Sequence, residues 1–286
     1  MQTVKAGDVS LFCSEQGSGQ PLVFVHGIPT DYRVWSSQLD NFSKHFRPIS
    51  YSRRYANPNT NEGKVEDSTV ESNSDDLVAL IQELKLEHIH LVGHSFGGFV
   101  SLYTAWKHPE LLRTLTLVEP AIPSILVKNE KNPIETLGFL LRNPSAAASA
   151  RKFQRGPLKL CLKAYEEGDL KGAVKYFVDG IKETPGAFEK LPVPVQNMMI
   201  DNGRTIGELE NVFPVFTISD ASKIRLPTLL IKGENSPKWL QAIVDSLSNS
   251  IPNSSTAKIS SSGHFSHIEN PSEFNARVEG FLNKNP

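Results

Sequence analysis

Ser95 lies in the run Gly93-His94-Ser95-Phe96-Gly97-Gly98. A serine hydroxyl is a poor nucleophile until a neighbouring base takes its proton. Taken alone, Gly-x-Ser-x-Gly describes an attacking serine as readily as a helix-capping serine between two packing glycines. Its flanks decide between these. Ile89-His90-Leu91-Val92 ahead of it is a short apolar run of buried-strand type, and residues 96–107 read as a helix ending near Pro109. A strand that turns straight into a helix strains its central residue and lifts the hydroxyl above the carboxyl edge of the sheet. Gly93 and Gly97 leave room for neighbouring backbone. The helix N-terminus offers N–H groups to developing negative charge. The expected chemistry is attack on an acyl carbon, giving an acyl-enzyme.

The elements that must position this serine follow a β-α-β-α rhythm. Val9 to Ser14 alternates and is expected as an antiparallel edge strand. Pro21-Leu22-Val23-Phe24-Val25 is a buried parallel-strand candidate ending at His26-Gly27. Val34, Trp35, Leu39 and Phe42 have near-helical spacing, and Ile49-Ser50-Tyr51 is a further strand candidate. Ser68 and Glu71 have capping-box spacing ahead of the helical face Leu77, Leu80, Ile81 and Leu84. Leu115-Thr116-Leu117-Val118 is the next strand. Strand rhythm then stops until Pro227-Thr228-Leu229-Leu230-Ile231-Lys232-Gly233. Leu170, Ala173, Val174, Phe177, Val178 and Ile181 recur at helical spacing, and Pro185, Pro192 and Pro194 break the pattern into short pieces. A helix over residues 239–247, a strand near Ala257-Lys258-Ile259 and a helix over 271–282 complete the chain. The reading is an α/β fold: a mostly parallel, doubly wound sheet formed by residues 1–120 and 226–286, with residues 121–225 inserted as a helical cap.

Composition excludes several other functions. The 286 residues carry 39 % hydrophobic and 21 % charged residues, with a formal net charge of -1. There is no basic surplus for nucleic acid or anionic lipid. Cys13 and Cys161 are far apart and are expected to be reduced and packed. Met1-Gln2-Thr3-Val4-Lys5 lacks an apolar signal region, and no apolar run is long enough to span a membrane, so a cytoplasmic location is expected. Asn41-Phe42-Ser43 and Asn253-Ser254-Ser255 are read as chance matches to a glycosylation acceptor. No His, Asp or Cys cluster has metal spacing and no Gly-rich phosphate loop is present, so neither metal nor cofactor is expected.

Three motifs, in this order, carry a family resemblance: His26-Gly27-Ile28-Pro29, the run from Gly93 to Gly98, and Ser262-Gly263-His264-Phe265 followed by Glu269-Asn270-Pro271. The sequence resembles the α/β-hydrolase fold family over roughly residues 9–120 and 226–284. The resemblance implies that His264, in the loop after the last strand, is the base. His267 is its rival, expected instead to pack or brace the loop. His94 is read as structural, His88 and His90 as residues of one strand face, and His108 as a helix end. The resemblance also implies an oxyanion hole of two backbone N–H donors, Phe96 after the nucleophile and Ile28 in the loop after the early strand.

The third triad member departs from the family's usual pattern. Most relatives carry Gly-x-x-Asp after the strand matching residues 227–232, whereas this sequence has Gly233-Glu234-Asn235-Ser236. Ser236 cannot carry the charge. Some relatives place the acid one strand earlier, where Glu119 follows Val118, and Glu119 is the expected acid. Glu234 is the second candidate and Asp245 the third. Epoxide hydrolases and haloalkane dehalogenases share the His-Gly-x-Pro loop but attack with an aspartate, so Ser95 points to acyl transfer. The cap residues Phe139, Leu140, Leu141, Met198 and Met199 are candidates for the acyl pocket or for the cap's own core. Arg53 and Arg54 sit where they could touch the pocket rim or pair with surface carboxylates. The leading expectation is a carboxylesterase-like hydrolase of a small-molecule ester, with a lactone as the related substrate. A meta-cleavage-type carbon–carbon hydrolase would need a lid pocket for a dienoate carboxylate, for which Arg151 to Arg155 is a candidate. A small-molecule receptor and an inactive interaction module on the same scaffold are the non-enzymatic alternatives. Acyl length, alcohol and oligomeric state are not encoded in any readable pattern.

Overall fold

The structure is a computed structural model, and it describes every residue except Glu130 and Val212. Its centre is an eight-stranded sheet: β1 (Gln2–Ala6), β2 (Val9–Glu15), β3 (Gln20–Val25), β4 (Phe46–Tyr51), β5 (Ile89–His94), β6 (Leu112–Val118), β7 (Thr228–Gly233) and β8 (Ser254–Ile259), in the order β1-β2-β4-β3-β5-β6-β7-β8. The β1–β2 and β2–β4 pairs are antiparallel, and all others are parallel. Every residue of β5 is buried, as are all but one of β6 and of β7. That is why these strands read as near-continuous apolar runs rather than alternating ones: helices cover both faces of the sheet.

The helices are α1 (Ser36–Phe42), α2 (Val70–Glu83), α3 (Ser95–Lys107), α4 (Pro133–Arg142), α5 (Pro144–Phe153), α6 (Lys159–Glu166), α7 (Leu170–Ile181), α8 (Val193–Asp201), α9 (Ile218–Ala221), α10 (Lys238–Ser248), α11 (Ser266–Glu269) and α12 (Pro271–Leu282). Between β6 and β7 only helices and turns occur among the described residues. Proline sets their starts, at the first position of α4 and α5 and at the cap of α8. Under α1, Trp35 is fully buried against Phe24, ring centroids 5.0 Å apart, and against His267, 4.4 Å away.

Some local expectations need correcting. β2 is antiparallel but is not the edge, because β1 pairs outside it. β1 (QTVKA) is mostly exposed, so it lacks the apolar pattern that marks a buried strand. The box ahead of α2 is Thr69 with Ser72, not Ser68 with Glu71. Ser68 instead donates its hydroxyl to the buried Glu208 carboxylate. His88 lies in the turn before β5 rather than on the strand, while His90 meets Thr114 Oγ1 through Nδ1 at 2.8 Å.

Candidate active site

The elbow is built as its residue types require. Ser95 has φ +53°, a left-handed conformation that side chains with a Cβ rarely adopt. It is held because β5 must become α3 without an intervening loop, and Ala121 N–H bonds the Ser95 carbonyl at 3.1 Å. A Cβ on Gly97 would collide with the carbonyl oxygens of Val25 and His26, so only glycine lets α3 approach the end of β3. A Cβ on Gly27 would lie 2.9 Å from Ser95 Cβ. The loop bearing Ile28 is therefore in contact with the serine, and Ile28 and Phe96 line the same cavity as Ser95.

His264 lies 1 % exposed in the loop between β8 and α11. Its Nδ1 is 2.8 Å from Glu119 Oε2, and Glu119 is fully buried. A carboxylate can only accept here, so Nδ1 carries the proton and Nε2 keeps a bare lone pair. Nε2 has no hydrogen-bond partner among the described residues, Ser95 Oγ included. Such hydroxyl–imidazole bonds are often long before substrate binds. The other Glu119 oxygen, Oε1, accepts Gly233 N–H at 2.8 Å. Glu119 itself has φ +43°, so two of the site's three side chains sit on strained backbone, as functional sites often do.

The remaining carboxylate candidates are engaged elsewhere. Glu234 accepts Ser261 N–H at 3.0 Å and pairs with Lys258, and Asp245 pairs with Lys232. Ser236 Oγ is buried and has no partner among the described residues.

His94 and His267 lie beside His264, and His26 lies near His94; burial disfavours charge on each. Desolvation, then the Arg53 charge, holds His26 well below its ordinary value of 6.5. Desolvation, then the neighbouring imidazoles His267 and His264, does the same to His94. His267 is brought down to about 3, by desolvation and then His264. His94 donates from Nε2 to the His264 carbonyl at 2.9 Å, with ring centroids 4.6 Å apart, which ties the histidine loop to the elbow. His264 alone among the four has a carboxylate at hydrogen-bond distance.

A model of the family described as "alpha/beta hydrolase fold" matches residues 20–271. The chain belongs to this family. Among curated relatives it is 33 % identical over 127 residues to the non-heme chloroperoxidase CPO-A1 of Kitasatospora aureofaciens, a match covering 44 % of this chain and 45 % of that protein. It is 24 % identical over 274 residues to epoxide hydrolase 3 of Xenopus tropicalis, covering 91 % of this chain and 71 % of the other. Among solved structures, the esterase EaEST of Exiguobacterium antarcticum superposes with a TM-score of 0.73 at 18 % identity, covering 98 % of each chain. The family supports hydrolase chemistry, and the chain is a hydrolase of this fold.

In this hydrolase the cavity beside Ser95 measures about 560 Å³ and continues beneath the helices that follow β6. Phe96, Phe139, Phe153, Phe177, Phe213 and Trp239 give it an aromatic lining. Leu140 also lines it, whereas Leu141 is 72 % exposed. Met198 and Met199 are buried but lie outside the lining.

Sequence reasoning missed three supports. His26 donates from Nδ1 to the Gly27 carbonyl at 2.9 Å and accepts Arg53 N–H at Nε2, also at 2.9 Å, which fixes the loop before Ile28. Arg53 and Arg54 pair mainly with buried partners rather than with surface carboxylates. Arg53 makes a bidentate bond at 2.9 and 2.7 Å to Glu208, and its guanidinium lies 4.6 Å from the centre of the Phe96 ring. Arg54 makes a similar bidentate bond to Asp76, with the exposed Asp8 further off at 3.8 Å. Glu269 accepts Gly263 N–H at 2.6 Å and pairs with Lys182 at the end of α7. Glu269 was visible as a motif residue, but nothing in the sequence linked it to Lys182, 87 positions away.

Proposed function

We propose that this hydrolase cleaves carboxylic esters through an acyl-enzyme. Ser95 is the nucleophile, His264 the base, Glu119 the acid, and the N–H groups of Ile28 and Phe96 form the oxyanion hole. The observation that carries the reading is the buried contact of 2.8 Å between Glu119 and His264, which leaves Nε2 bare. Nε2 takes the Ser95 proton as Oγ bonds to the ester carbon. The carbonyl oxygen becomes an oxyanion and accepts from the two N–H donors. Collapse expels the alcohol, which takes the proton back from His264. Water then attacks the acyl carbon and passes a proton to Nε2; collapse breaks the bond to Ser95 Oγ, which takes that proton back, and the carboxylic acid leaves. Throughout, Glu119 holds the tautomer and offsets the imidazolium charge.

A serine, rather than a carboxylate, at the elbow favours acyl transfer over alkyl-ester chemistry. Residues 121–225 act as the lid of this site, and residues 1–120 and 226–286 as the core beneath it. A cavity of about 560 Å³ with an aromatic lining suits a small or medium ester. The test combines fluorophosphonate labelling with turnover of p-nitrophenyl butyrate. Labelling at Ser95 and sustained turnover are expected, both lost in Ser95→Ala. Absence of labelling, together with no turnover of simple esters or acyl-homoserine lactones, would overturn the proposal. Labelling with only a few slow cycles would place the chain among receptors on this scaffold.

A further inference from the structure

We infer that the substrate carries a second functional group, a carboxylate remote from the scissile carbonyl, which Arg151 and Arg155 bind. The inference rests on the ester reading and specifies the acyl part of the substrate.

The cavity that begins at Ser95 is lined by two charged side chains among the described residues, and both are arginines. No Asp or Glu among the described residues lines it. Arg151 lies on α5 and Arg155 in the turn that continues it, four positions apart, so they share one side of the helix. Like charges at this spacing repel, and no carboxylate pairs with either among the described residues. Both residues are exposed, at the solvent side of the cavity, and neither guanidinium has a hydrogen-bond or ion-pair partner among the described residues. The buried arginines Arg53 and Arg54, by contrast, are each bidentate to a carboxylate.

A third donor faces the same space. Trp239 stacks on Phe153, which lies between the two arginines in sequence, with ring centroids 5.8 Å apart. Its indole N–H is buried without an acceptor, and Trp239 lines the cavity. Two unpaired cations and an unanswered N–H beside an otherwise largely apolar wall describe a site that lacks an anion. Guanidinium matches carboxylate in shape and charge, and the apolar wall accepts the chain leading to the ester. A neutral chain end would leave the buried indole N–H unanswered and forgo the attraction of the two cations, which is how such a pocket discriminates.

The test compares p-nitrophenyl octanoate with mono-p-nitrophenyl suberate, which have the same chain length and differ in ending in a methyl group or a carboxylate. The protein is expected to favour the suberate in kcat/KM by about tenfold or more in about 20 mM salt, with the preference shrinking in about 500 mM salt. Arg151→Gln with Arg155→Gln should bring the ratio close to unity. Equal or faster hydrolysis of the octanoate by the intact protein, or a preference that survives the double substitution, would overturn the inference. If neither ester turns over, the ester reading falls, and binding decides the anion site separately. Octanoate should then quench tryptophan fluorescence at about tenfold lower concentration than octanamide, and the double variant should lose that difference. Equal affinity for the two would refute the site.

Discussion

Replacing Glu119 by Gln changes one atom in a fully buried side chain and removes the charge that faces His264. Both carboxylate oxygens are in use at 2.8 Å, Oε1 by Gly233 N–H and Oε2 by His264 Nδ1. An amide has one oxygen for these two donors. If that oxygen stays with Gly233, the amide NH2 faces Nδ1 and forces the proton onto Nε2, where it blocks attack by Ser95. If the amide flips, NH2 abuts Gly233 N–H, and a buried donor goes unpaired at about 1–3 kcal/mol. Either way the imidazolium loses its counter-charge. The expected fall in kcat is on the order of 10²–10⁴, or about 3–5 kcal/mol of barrier. KM should change by less than about threefold, because Glu119 meets the substrate only through His264. The assay is p-nitrophenyl butyrate hydrolysis normalised to fluorophosphonate-titrated sites, with circular dichroism to check the fold. Glu234→Gln is the control: this side chain braces Ser261 at the surface, and less than about threefold loss is expected. A kcat within about threefold of the parent in folded Glu119→Gln would refute the assignment.

Three other outcomes are expected. His267 titrates at about 3 in the folded protein against 6.5 ordinarily, so the unfolded chain binds a proton that the folded one refuses, and stability falls as pH drops from 6.5 towards 3. His267→Phe keeps a ring against Trp35 and should reduce the stability lost between about pH 8 and about pH 5.5 by about 1.4 kcal/mol in urea titrations; an unchanged slope would contradict this. Glu208→Ala strands the Arg53 charge and should destabilise the protein by about 3–5 kcal/mol, read from the urea midpoint; a loss below about 1 kcal/mol would mean the pair is not structural. Gly27→Ala would push the Ile28 loop off Ser95, since its Cβ would lie 2.9 Å from Ser95 Cβ. It should lower kcat by about 10–100-fold with stability nearly unchanged, and normal turnover would show that the loop gives way.

Strands and helices were legible wherever burial imposed a period. The apolar run over residues 89–92 became β5, and the Pro227 run became β7, because strands covered on both faces admit almost nothing polar. β1 was missed because an exposed edge strand is free of that constraint. The box at Thr69 was displaced by one residue because a distant carboxylate, Glu208, recruits Ser68. Within the candidate site, Ser95 was legible from purely local geometry. The contact between Glu119 and His264 joins residues 145 positions apart, and the Arg53–Glu208 pair joins residues 155 apart. No periodicity records such separations; the signs available were the family resemblance, which placed His264 and allowed an acid one strand early, and a charged residue at the end of a buried strand. His26 left no such sign, because a histidine after a strand reads the same whether or not it braces the next peptide.

Glu119 ends β6, where the chain departs for its long helical excursion, and the chain returns through β7, whose Gly233 N–H binds the same carboxylate. One side chain thus clamps both feet of the arch. On the proposed reading, the roof between them can change shape and still leave the reactive groups in register, provided that its ties to the floor are kept, among them Glu208 to Arg53, Lys182 to Glu269 and Asn202 to Asp31. Appetite for new compounds can then drift in the upper storey while the reaction below stays the same.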